Sequence, residues 1–296
     1  MDDSKTLLQS ARLELDSLNP PLRLDRRGFV KTSLGAGFAA AVLPVAAQTT
    51  ITTDTQGLDA GEAKVPFSDA AMPAYYARPA GKTGLATILV VQEVFGVHEY
   101  IKDVCRRFAK QGFLAVAPEL YARQGDPAKY TDVAALMKDV VSNVADAQVM
   151  GDLDAAAAWA ARNGGNADKL GITGFCWGGR AALMYAAHNP KLKAAVAWYG
   201  PTSRAYHQGD KPVLDVAANI KAPVLGLYGG ADAGIPKHTI DKLDAALKTA
   251  GNTRSEFVTY PDAPHAFHAD YRSSYHKPAA EDGWKRAVAW FKRNLG

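Results

Sequence analysis

Residues 171–180 read GITGFCWGGR, an apolar run that ends in a cysteine framed by glycines. One residue separates Cys176 from Gly174 and from Gly178, and helical spacing follows the second glycine. The pattern G-x-nucleophile-x-G between a strand and a helix is typical of a sharp turn that exposes a nucleophile at the end of a strand. A side chain on either flank would collide with the neighbouring turn. The stretch therefore predicts a strand, a turn and a helix, with Cys176 as nucleophile.

The position of Cys176 also affects its chemistry. A helix N-terminus lowers the pKa of a thiol, and the backbone N–H of Trp177 can stabilise an oxyanion. The alternative is a buried and inert cysteine, as an isolated cysteine usually is. The only other cysteine is Cys105, so a disulfide framework and a cysteine-rich metal site are excluded. A disulfide between the two would favour a structural role, whereas rapid alkylation of Cys176 would favour catalysis.

A nucleophilic thiol needs a base, and the base needs a group that orients it. Asp232 follows a predicted strand in YGGADAGIP, and His265 follows the next strand in YPDAPHAFH. Nucleophile, acid and histidine thus come in the chain order of a known class of hydrolases. We therefore expect His265 to move protons and Asp232 to orient its ring.

Other histidines and aspartates compete for these roles. His207 and His268 are predicted to be surface or structural residues. Asp210 and Asp215 lie in a polar segment before a strand, where solvated or helix-capping aspartates are common. His265 is preferred because it follows a proline-rich turn after a strand, where a loop delivers side chains to the carboxyl edge of a sheet.

Strand and helix patterns alternate along residues 64–296, with no repeat and no internal linker. Strands are predicted over residues 72–77, 85–93, 113–118, 170–175, 192–199, 222–228 and 255–260. Helices are predicted over residues 100–110, 131–162 with a break near Gly151, 179–188, 237–250 and 279–294. This alternation predicts one α/β domain in which helices cover both faces of a mostly parallel sheet.

The composition fits a single folded domain of this size. Of the 296 residues, 48% are hydrophobic and 22% are charged, enough apolar material for a large core. The 34 Lys and Arg against 30 Asp and Glu give a net charge of +4, with no block of five like charges. This charge pattern argues against recognition of nucleic acid or of an anionic membrane surface.

Residues 1–47 have the pattern of a twin-arginine export signal. Arg26 and Arg27 precede an uncharged stretch, residues 32–47, that ends in small residues, and we expect cleavage at its end. An uncleaved membrane anchor is the alternative, but the stretch is short for the roughly 30 Å of hydrocarbon in a bilayer. The signal predicts export through the twin-arginine machinery to a periplasmic or secreted location, with no membrane contact after its removal. Residues 48–63 are polar and are predicted to be a flexible lead-in.

The motifs together resemble the dienelactone hydrolase family, the carboxymethylenebutenolidases. The resemblance rests on GFCWGG around Cys176, GGADAGIP around Asp232, PHAFH around His265 and the early segment VVQEVFGVHEYI. It extends over residues 65–295, essentially the whole predicted domain. It implies the α/β-hydrolase fold, a Cys-His-Asp triad and a reaction without a metal or organic cofactor.

The resemblance also implies roles for residues outside the triad. Glu93 matches a family glutamate that takes the proton of the cysteine, and a carboxylate among apolar neighbours is expected to have a raised pKa. The alternative for Glu93 is a polar strand terminus without a catalytic role. The backbone N–H of Val94 matches the second oxyanion donor, beside that of Trp177.

Two arginines bind the substrate carboxylate in the family. Arg123 in LYARQGDP matches the first, and its planar guanidinium suits bidentate binding. The second position, four residues after the predicted catalytic histidine, holds Ala269, and Arg272 is a candidate to replace the missing arginine. Tyr121 and Tyr199 are candidates for the pocket lining, or else aromatic core residues. The departure at Ala269 leaves the chemistry unchanged and the substrate open.

These expectations define three functional hypotheses. The first is a hydrolase that opens a lactone such as a dienelactone, or an ester, through an acyl-enzyme on Cys176. The second keeps the triad but is a broad carboxylesterase or thioesterase for less charged substrates, with Ala269 as its main support. The third is a non-catalytic binding protein, which the presence of every triad member argues against. For both enzymes the expected partner is a small-molecule lactone or ester.

Overall fold

The computed structural model describes residues 51–67 and 70–296, and the predicted export signal lies outside these residues. An eight-stranded sheet organises the described chain in the order β1-β2-β4-β3-β5-β6-β7-β8. Its strands are β1 (Leu58–Phe67), β2 (Ala70–Pro79), β3 (Leu85–Val91), β4 (Leu114–Pro118), β5 (Gly165–Phe175), β6 (Ala194–Trp198), β7 (Val224–Gly229) and β8 (Glu256–Tyr260). Strands β3 to β8 are parallel to one another, whereas β1 and β2 are antiparallel to their neighbours.

Helices cover both faces of this sheet. They are α1 (Glu99–Lys110), α2 (Val133–Asp139), α3 (Asp146–Arg162), α4 (Trp177–His188), α5 (Val213–Val216), α6 (Lys237–Thr249) and α7 (Lys277–Leu295). Helices α1 and α7 share one face, where Phe108 contacts Phe291 and Trp284, and α3 and α4 share the other. Strands β4, β6 and β7 are buried along their whole length, which explains their almost wholly apolar sequences. The predicted α/β fold with a mostly parallel sheet is confirmed.

The helix break expected near Gly151 is wrong, because α3 runs through this residue without interruption. Gly151 is exposed with open space around it, so the helix tolerates its cost of about 1 kcal/mol relative to alanine. The break lies earlier, between α2 and α3, and side-chain hydrogen bonds stabilise both helix ends there. The side chain of Asn143 binds the last carbonyls of α2, and the N–H of Asp146 donates to Asp210 at 2.9 Å.

The first strand begins inside the segment predicted to be a flexible lead-in. Residues 58–63 form the first half of β1, which pairs with β2 along its whole length. Because β1 is an edge strand whose side chains stay mostly half-buried or exposed, its sequence lacks the apolar run of a buried strand. Upstream, the N–H of Thr53 donates to Asp103 at 2.6 Å and ties this segment to α1. Across residues 51–67 and 70–296, no helix is long and apolar enough to cross a membrane.

Candidate active site

Cys176 lies at the sharp turn between β5 and α4. Its backbone has φ +56° and ψ −118°, a region that costs a non-glycine residue about 1–3 kcal/mol. The Cys176 N–H donates to the Trp198 carbonyl at 3.0 Å, and the Cys176 carbonyl accepts the first hydrogen bonds of α4. Strand β6 and helix α4 therefore hold the thiol in a strained position at the carboxyl end of the sheet.

Glycines permit this turn because they lie directly against backbone atoms. A Cβ on Gly174 would overlap the carbonyl of Gly178, and a Cβ on Gly178 would overlap the carbonyl of Gln92 just beyond β3. The chain after β3 therefore contacts the first turn of α4. This contact brings the segment of Val94 to the turn of Trp177, the two residues predicted to supply oxyanion donors.

Asp232 and His265 meet beyond the ends of β7 and β8. Nδ1 of His265 is hydrogen-bonded to one oxygen of Asp232 at 2.7 Å, and the other oxygen accepts the N–H of Gly234 at 2.9 Å. Both residues are buried. A Cβ on Gly229 or Gly230 would collide with carbonyls of the loop that carries the histidine. Close backbone packing therefore fixes the acid and the histidine relative to each other.

The pKa of His265 is held well above its ordinary value. Burial, the strongest single influence, lowers this pKa, but the charges of Asp232 and of the Cys176 thiolate, together with hydrogen bonding to both, outweigh burial. The thiol and the imidazole are therefore neighbours. The arrangement fits a thiolate–imidazolium pair oriented by Asp232.

The competing residues have other roles. His268 is buried, its Nδ1 is hydrogen-bonded to the hydroxyl of Tyr100 at 2.6 Å, and its ring lies 4.4 Å from that of Trp198. Burial above all holds the pKa of His268 well below its ordinary value, so the ring stays neutral. His207 is partly exposed and lies 3.7 Å from Asp210, which caps α3. These residues act in structure, as expected.

Glu93 is completely buried, and its pKa is lowered rather than raised. Burial by itself raises the pKa, but His98, Arg272 and Tyr271 together more than offset that effect. The Tyr271 hydroxyl donates to Oε2 at 2.6 Å, and Nε2 of His98 lies 3.8 Å from the same oxygen. The expectation of a raised pKa is wrong, because polar groups from outside the apolar strand surround this carboxylate.

Tyr121 and Tyr199 lie on two sides of the candidate triad and are completely buried. The Tyr121 ring packs edge-on against Trp177, with 5.0 Å between ring centres. Burial, and secondly the charge of Cys176, raises the pKa of Tyr121 far above its ordinary value. The Tyr199 ring lies 5.1 Å from that of His265. Both tyrosines thus contact the site, and their role in substrate binding stays a prediction.

The chain matches the model of the dienelactone hydrolase family over residues 72–295. It belongs to the dienelactone hydrolase family. A protein of Methylorubrum extorquens named "Putative carboxymethylenebutenolidase" is 58% identical over 288 residues, which cover 95% of this chain and 97% of that protein. The resemblance inferred from the motifs is confirmed.

Two further proteins are similar to this dienelactone hydrolase family member, one in structure and one in sequence. A crystallised protein of Klebsiella pneumoniae, named "Putative Dienelactone Hydrolase", is 54% identical, with a TM-score of 0.77 over 80% of this chain and 99% of that chain. A protein of Bradyrhizobium sp, named "Probable 2-oxo-3-(5-oxofuran-2-ylidene)propanoate lactonase", is 31% identical over 75% of this chain and 89% of its own length.

The motif resemblance implies a second carboxylate-binding arginine four residues after His265. That position holds Ala269, which is buried. Arg272 lies close enough to Glu93 to lower its pKa, and its guanidinium lies 5.7 Å from the ring centre of Phe95. Arg272 therefore reaches the Glu93 side of the site.

Sequence reasoning missed the two other partners of Glu93. His98 and Tyr271 both lie inside motif segments, VVQEVFGVHEYI and HADYRSSY. Their positions in the sequence, near the candidate base Glu93 and next to the candidate Arg272, were the one available signal that they belong to the site. Neither segment shows by itself that the two meet at the same carboxylate oxygen.

Arg123 is paired with a residue that the sequence analysis did not single out. Its Nη2 lies 2.6 and 2.7 Å from the two oxygens of Asp152, and its guanidinium lies 4.3 Å above the ring of Phe67. The structure therefore brings Arg123 to α3 and to the end of β1. Its contact with a substrate carboxylate stays a prediction.

Cys105 is buried in α1, and burial raises the pKa of its thiol. Neither cysteine forms a disulfide, so Cys105 and Cys176 are not joined. The one pairing that would have favoured a structural role for Cys176 is therefore excluded.

Proposed function

We propose that this chain is a hydrolase that opens a lactone or ester bond with Cys176 as nucleophile. The observation that carries the proposal is a strained thiol at the start of α4, next to an imidazole that is hydrogen-bonded to Asp232 at 2.7 Å. Membership of a hydrolase family over most of the chain supports it. A non-catalytic binding protein would have no use for the backbone strain at Cys176.

The proposed reaction has two stages. The Cys176 thiolate attacks the carbonyl carbon, and the oxyanion is stabilised by the N–H groups of Val94 and Trp177. His265, protonated at the expense of the thiol, gives its proton to the leaving oxygen as the C–O bond breaks. His265 then takes a proton from water, which attacks the thioester and displaces the Cys176 sulfur. In a lactone the leaving oxygen stays on the acyl chain as a hydroxyl group.

We assign the first proton transfer to His265 rather than to Glu93. His265 has a raised pKa and is the stronger base, whereas the pKa of Glu93 is lowered and its Oε2 already accepts a hydrogen bond from Tyr271. The lowered pKa keeps Glu93 negatively charged beside Arg272. We therefore propose that Glu93 positions this arginine.

The experiment that tests the nucleophile compares Cys176→Ala with Cys105→Ala. We expect Cys176→Ala to lose at least about 1,000-fold in hydrolysis of a small aryl ester and of a dienelactone. Cys105→Ala is the matched control and keeps the wild-type rate. Intact mass measured during turnover should show an acyl adduct on the wild type alone. Full hydrolysis by Cys176→Ala overturns the proposal.

A broad carboxylesterase or thioesterase is the second candidate, and Ala269 in place of an arginine favours it. The lactonase name of the Bradyrhizobium relative favours a lactone substrate. The ratio of kcat/KM for an anionic lactone to that for a neutral ester separates the two. A preference for the neutral ester favours the second candidate.

We propose twin-arginine export from the sequence alone. Replacing Arg26 and Arg27 together by lysine should keep the protein in the cytoplasm, while the wild type appears in the periplasm or the medium. N-terminal sequencing of the exported protein should begin at Gln48. Export that is unchanged by the double substitution contradicts the proposal.

A further inference from the structure

Residues 93–97, called here the oxyanion turn, follow β3 and carry one of the proposed oxyanion donors, the N–H of Val94. A backbone bridge between Glu93 and Gly96 closes this turn. The carbonyl of Gln92, just before the turn, lies directly against the first turn of α4. Helix α4 therefore holds the start of the oxyanion turn and leaves its far end to other contacts.

The side chain of Glu119 binds that far end. Glu119 directly follows β4, the neighbour of β3, and its Oε2 accepts the N–H of Val97 at 2.8 Å. Gly96 lies against the same carboxylate, because a Cβ there would be only 3.1 and 3.4 Å from its two oxygens. The Glu119 N–H donates to the carbonyl of Pro73 on β2 at 2.8 Å. A residue fixed by the sheet thus holds the turn that follows the adjacent strand.

Further donors act on the Glu119 carboxylate. Burial raises its pKa most strongly, and the charge of Asp126 adds to this rise. The N–H groups of Val97 and Tyr121 and the side chain of Gln92 lower the pKa by hydrogen bonding. An ionised carboxylate accepts a stronger hydrogen bond from a backbone N–H than a neutral oxygen does. The carboxylate is therefore well suited to restrain the oxyanion turn.

The segment of Glu119 also contacts the second proposed oxyanion donor. The ring of Tyr121, two residues later, packs edge-on against Trp177 with 5.0 Å between ring centres. Burial, and secondly the charge of Cys176, raises the pKa of Tyr121, so this side chain lies near the nucleophile. Residues 119–121 therefore contact both backbone turns whose N–H groups must point at one oxygen.

We propose that Glu119 is a positioning residue that holds the N–H of Val94 in the geometry required to stabilise an oxyanion. The inference rests on the proposed function, because it assumes a tetrahedral intermediate on Cys176. A donor stabilises the oxyanion when it lies about 2.7–3.1 Å from the oxygen, so a displaced turn loses part of the effect. Glu119 acts through the backbone of the oxyanion turn and not on the substrate itself.

A purely structural role for Glu119 predicts a different pattern. Loss of fold stability lowers the amount of active enzyme and affects every reaction of Cys176 alike. Loss of oxyanion positioning affects only those reactions that place negative charge on a carbonyl oxygen. Alkylation by iodoacetamide is the reference reaction, because the thiolate forms a C–S bond at a saturated carbon as the C–I bond breaks. Iodide leaves with the electron pair, and no oxyanion arises.

The first test compares Glu119→Ala with the wild type in both reactions. We expect kcat for a small aryl ester to fall about tenfold with KM within about twofold, because the donor acts in the transition state. Alkylation of Cys176 by iodoacetamide at neutral pH should stay within about twofold. Asp59→Ala is the matched control, since it removes a carboxylate that accepts hydrogen bonds from two residues of β2, and it should change neither rate.

Reversible inhibition by an aryl trifluoromethyl ketone gives a second readout. The Cys176 thiolate adds to the ketone carbon, and as the C–S bond forms the carbonyl electron pair moves to the oxygen, which becomes an oxyanion. We expect the inhibition constant to rise about tenfold in Glu119→Ala and to keep its wild-type value in Asp59→Ala. Glu119→Gln keeps an oxygen that accepts the N–H of Val97, so its selective loss should be smaller, about threefold.

The outcomes separate this inference from the proposed function. An unchanged ester rate in Glu119→Ala, or an equal fall of ester hydrolysis and alkylation, overturns the positioning role. If Glu119→Ala does not fold, Glu119→Gln decides by the same two reactions, and an equal loss or no loss overturns the role. A wild type that is alkylated at Cys176 but neither hydrolyses an ester nor binds the ketone overturns the proposed function instead.

Discussion

The proposed triad and the surroundings of Glu93 and Arg123, called here the triad side and the recognition side of the candidate site, are held by different kinds of contact. The three triad residues follow β5, β7 and β8, where glycines let backbone segments pack directly against one another. On the other side, Glu93 is held by the side chain of Tyr271, and Arg123 by that of Asp152. A backbone contact leaves little room for change, whereas one substitution replaces a side-chain partner. Under the proposed function, catalysis therefore belongs to the constrained half of this site and substrate recognition to the adjustable half.

The largest expected effect tests the triad side. Asp232→Asn removes a charge that raises the pKa of His265, and the amide no longer selects the ring tautomer. We expect kcat/KM for a small aryl ester to fall by roughly 10³–10⁴, equivalent to about 4–5 kcal/mol, and Cys176 to alkylate more slowly at neutral pH. Asp262→Asn, an exposed carboxylate in the histidine loop, should keep the wild-type rate. A loss of less than about tenfold in Asp232→Asn contradicts the triad.

The second largest expected effect tests whether contacts between backbone atoms hold the triad side in place. A Cβ on Gly178 would overlap the carbonyls of Val91 and Gln92, and neither is a flexible side chain that can move away. We expect Gly178→Ala to lower the free energy of unfolding by about 3 kcal/mol, measured by urea denaturation. Gly151→Ala is the matched control, because open space surrounds this helical glycine and alanine should stabilise by up to about 1 kcal/mol. Equal stability of the two variants would refute the contact.

The same contrast explains how much of the fold the sequence predicts. The inner strands are buried on both faces, so their apolar runs predict them directly. The edge strand β1 buries few of its side chains, and nothing local separates residues 58–63 from a polar loop. The break before α3 depends on Asp210, which caps the helix from 64 residues away. Features that depend on neighbours in sequence are predictable, and those that depend on distant partners are not.

The candidate site likewise combines features that depend on neighbours in the sequence with features that depend on distant partners. GFCWGG predicts its own turn, because Gly174 packs against the backbone of Gly178 within the motif. Burial raises the pKa of Glu93, and His98 in the same motif lowers it most, followed by Arg272 and by Tyr271, which lies 178 residues further along the chain. The apolar strand before Glu93 predicts a raised pKa, the reverse of what these partners produce together. The partner of Arg123 is likewise on another element, 29 residues away.

A smaller expected effect tests the side-chain contact between Tyr271 and Glu93. Tyr271→Phe removes the donor at 2.6 Å from buried Glu93 and should lower the free energy of unfolding by about 2 kcal/mol at pH 7. A carboxylate whose pKa is lowered by folding adds stability above its unfolded value near 4.3 and loses it as the pH falls through the folded value. The difference between wild type and variant should therefore be largest above about pH 5 and shrink in more acidic buffer.

The control for that measurement is Tyr275→Phe, a partly exposed tyrosine in the same loop. Its effect on unfolding should be small and should not change between pH 7 and pH 4. A destabilisation of Tyr271→Phe that stays constant over this range would mean that the hydroxyl acts on packing rather than on the charge of Glu93.

The smallest effect distinguishes two histidines that lie three residues apart. His268→Phe leaves the Tyr100 hydroxyl without this hydrogen-bond partner and should cost about 1 kcal/mol of stability at pH 8, with ester hydrolysis nearly unchanged. Because folding holds the pKa of His268 well below its ordinary value, the unfolded wild type binds a proton below about pH 6.5 that the folded state excludes. The wild type therefore loses stability in acid through this residue and the variant does not, so the gap between them should narrow from pH 8 to pH 5. Urea denaturation at several pH values measures the gap. A widening gap, or a loss of hydrolysis comparable with that of Asp232→Asn, would mean that His268 is charged in the folded state and belongs to the triad side.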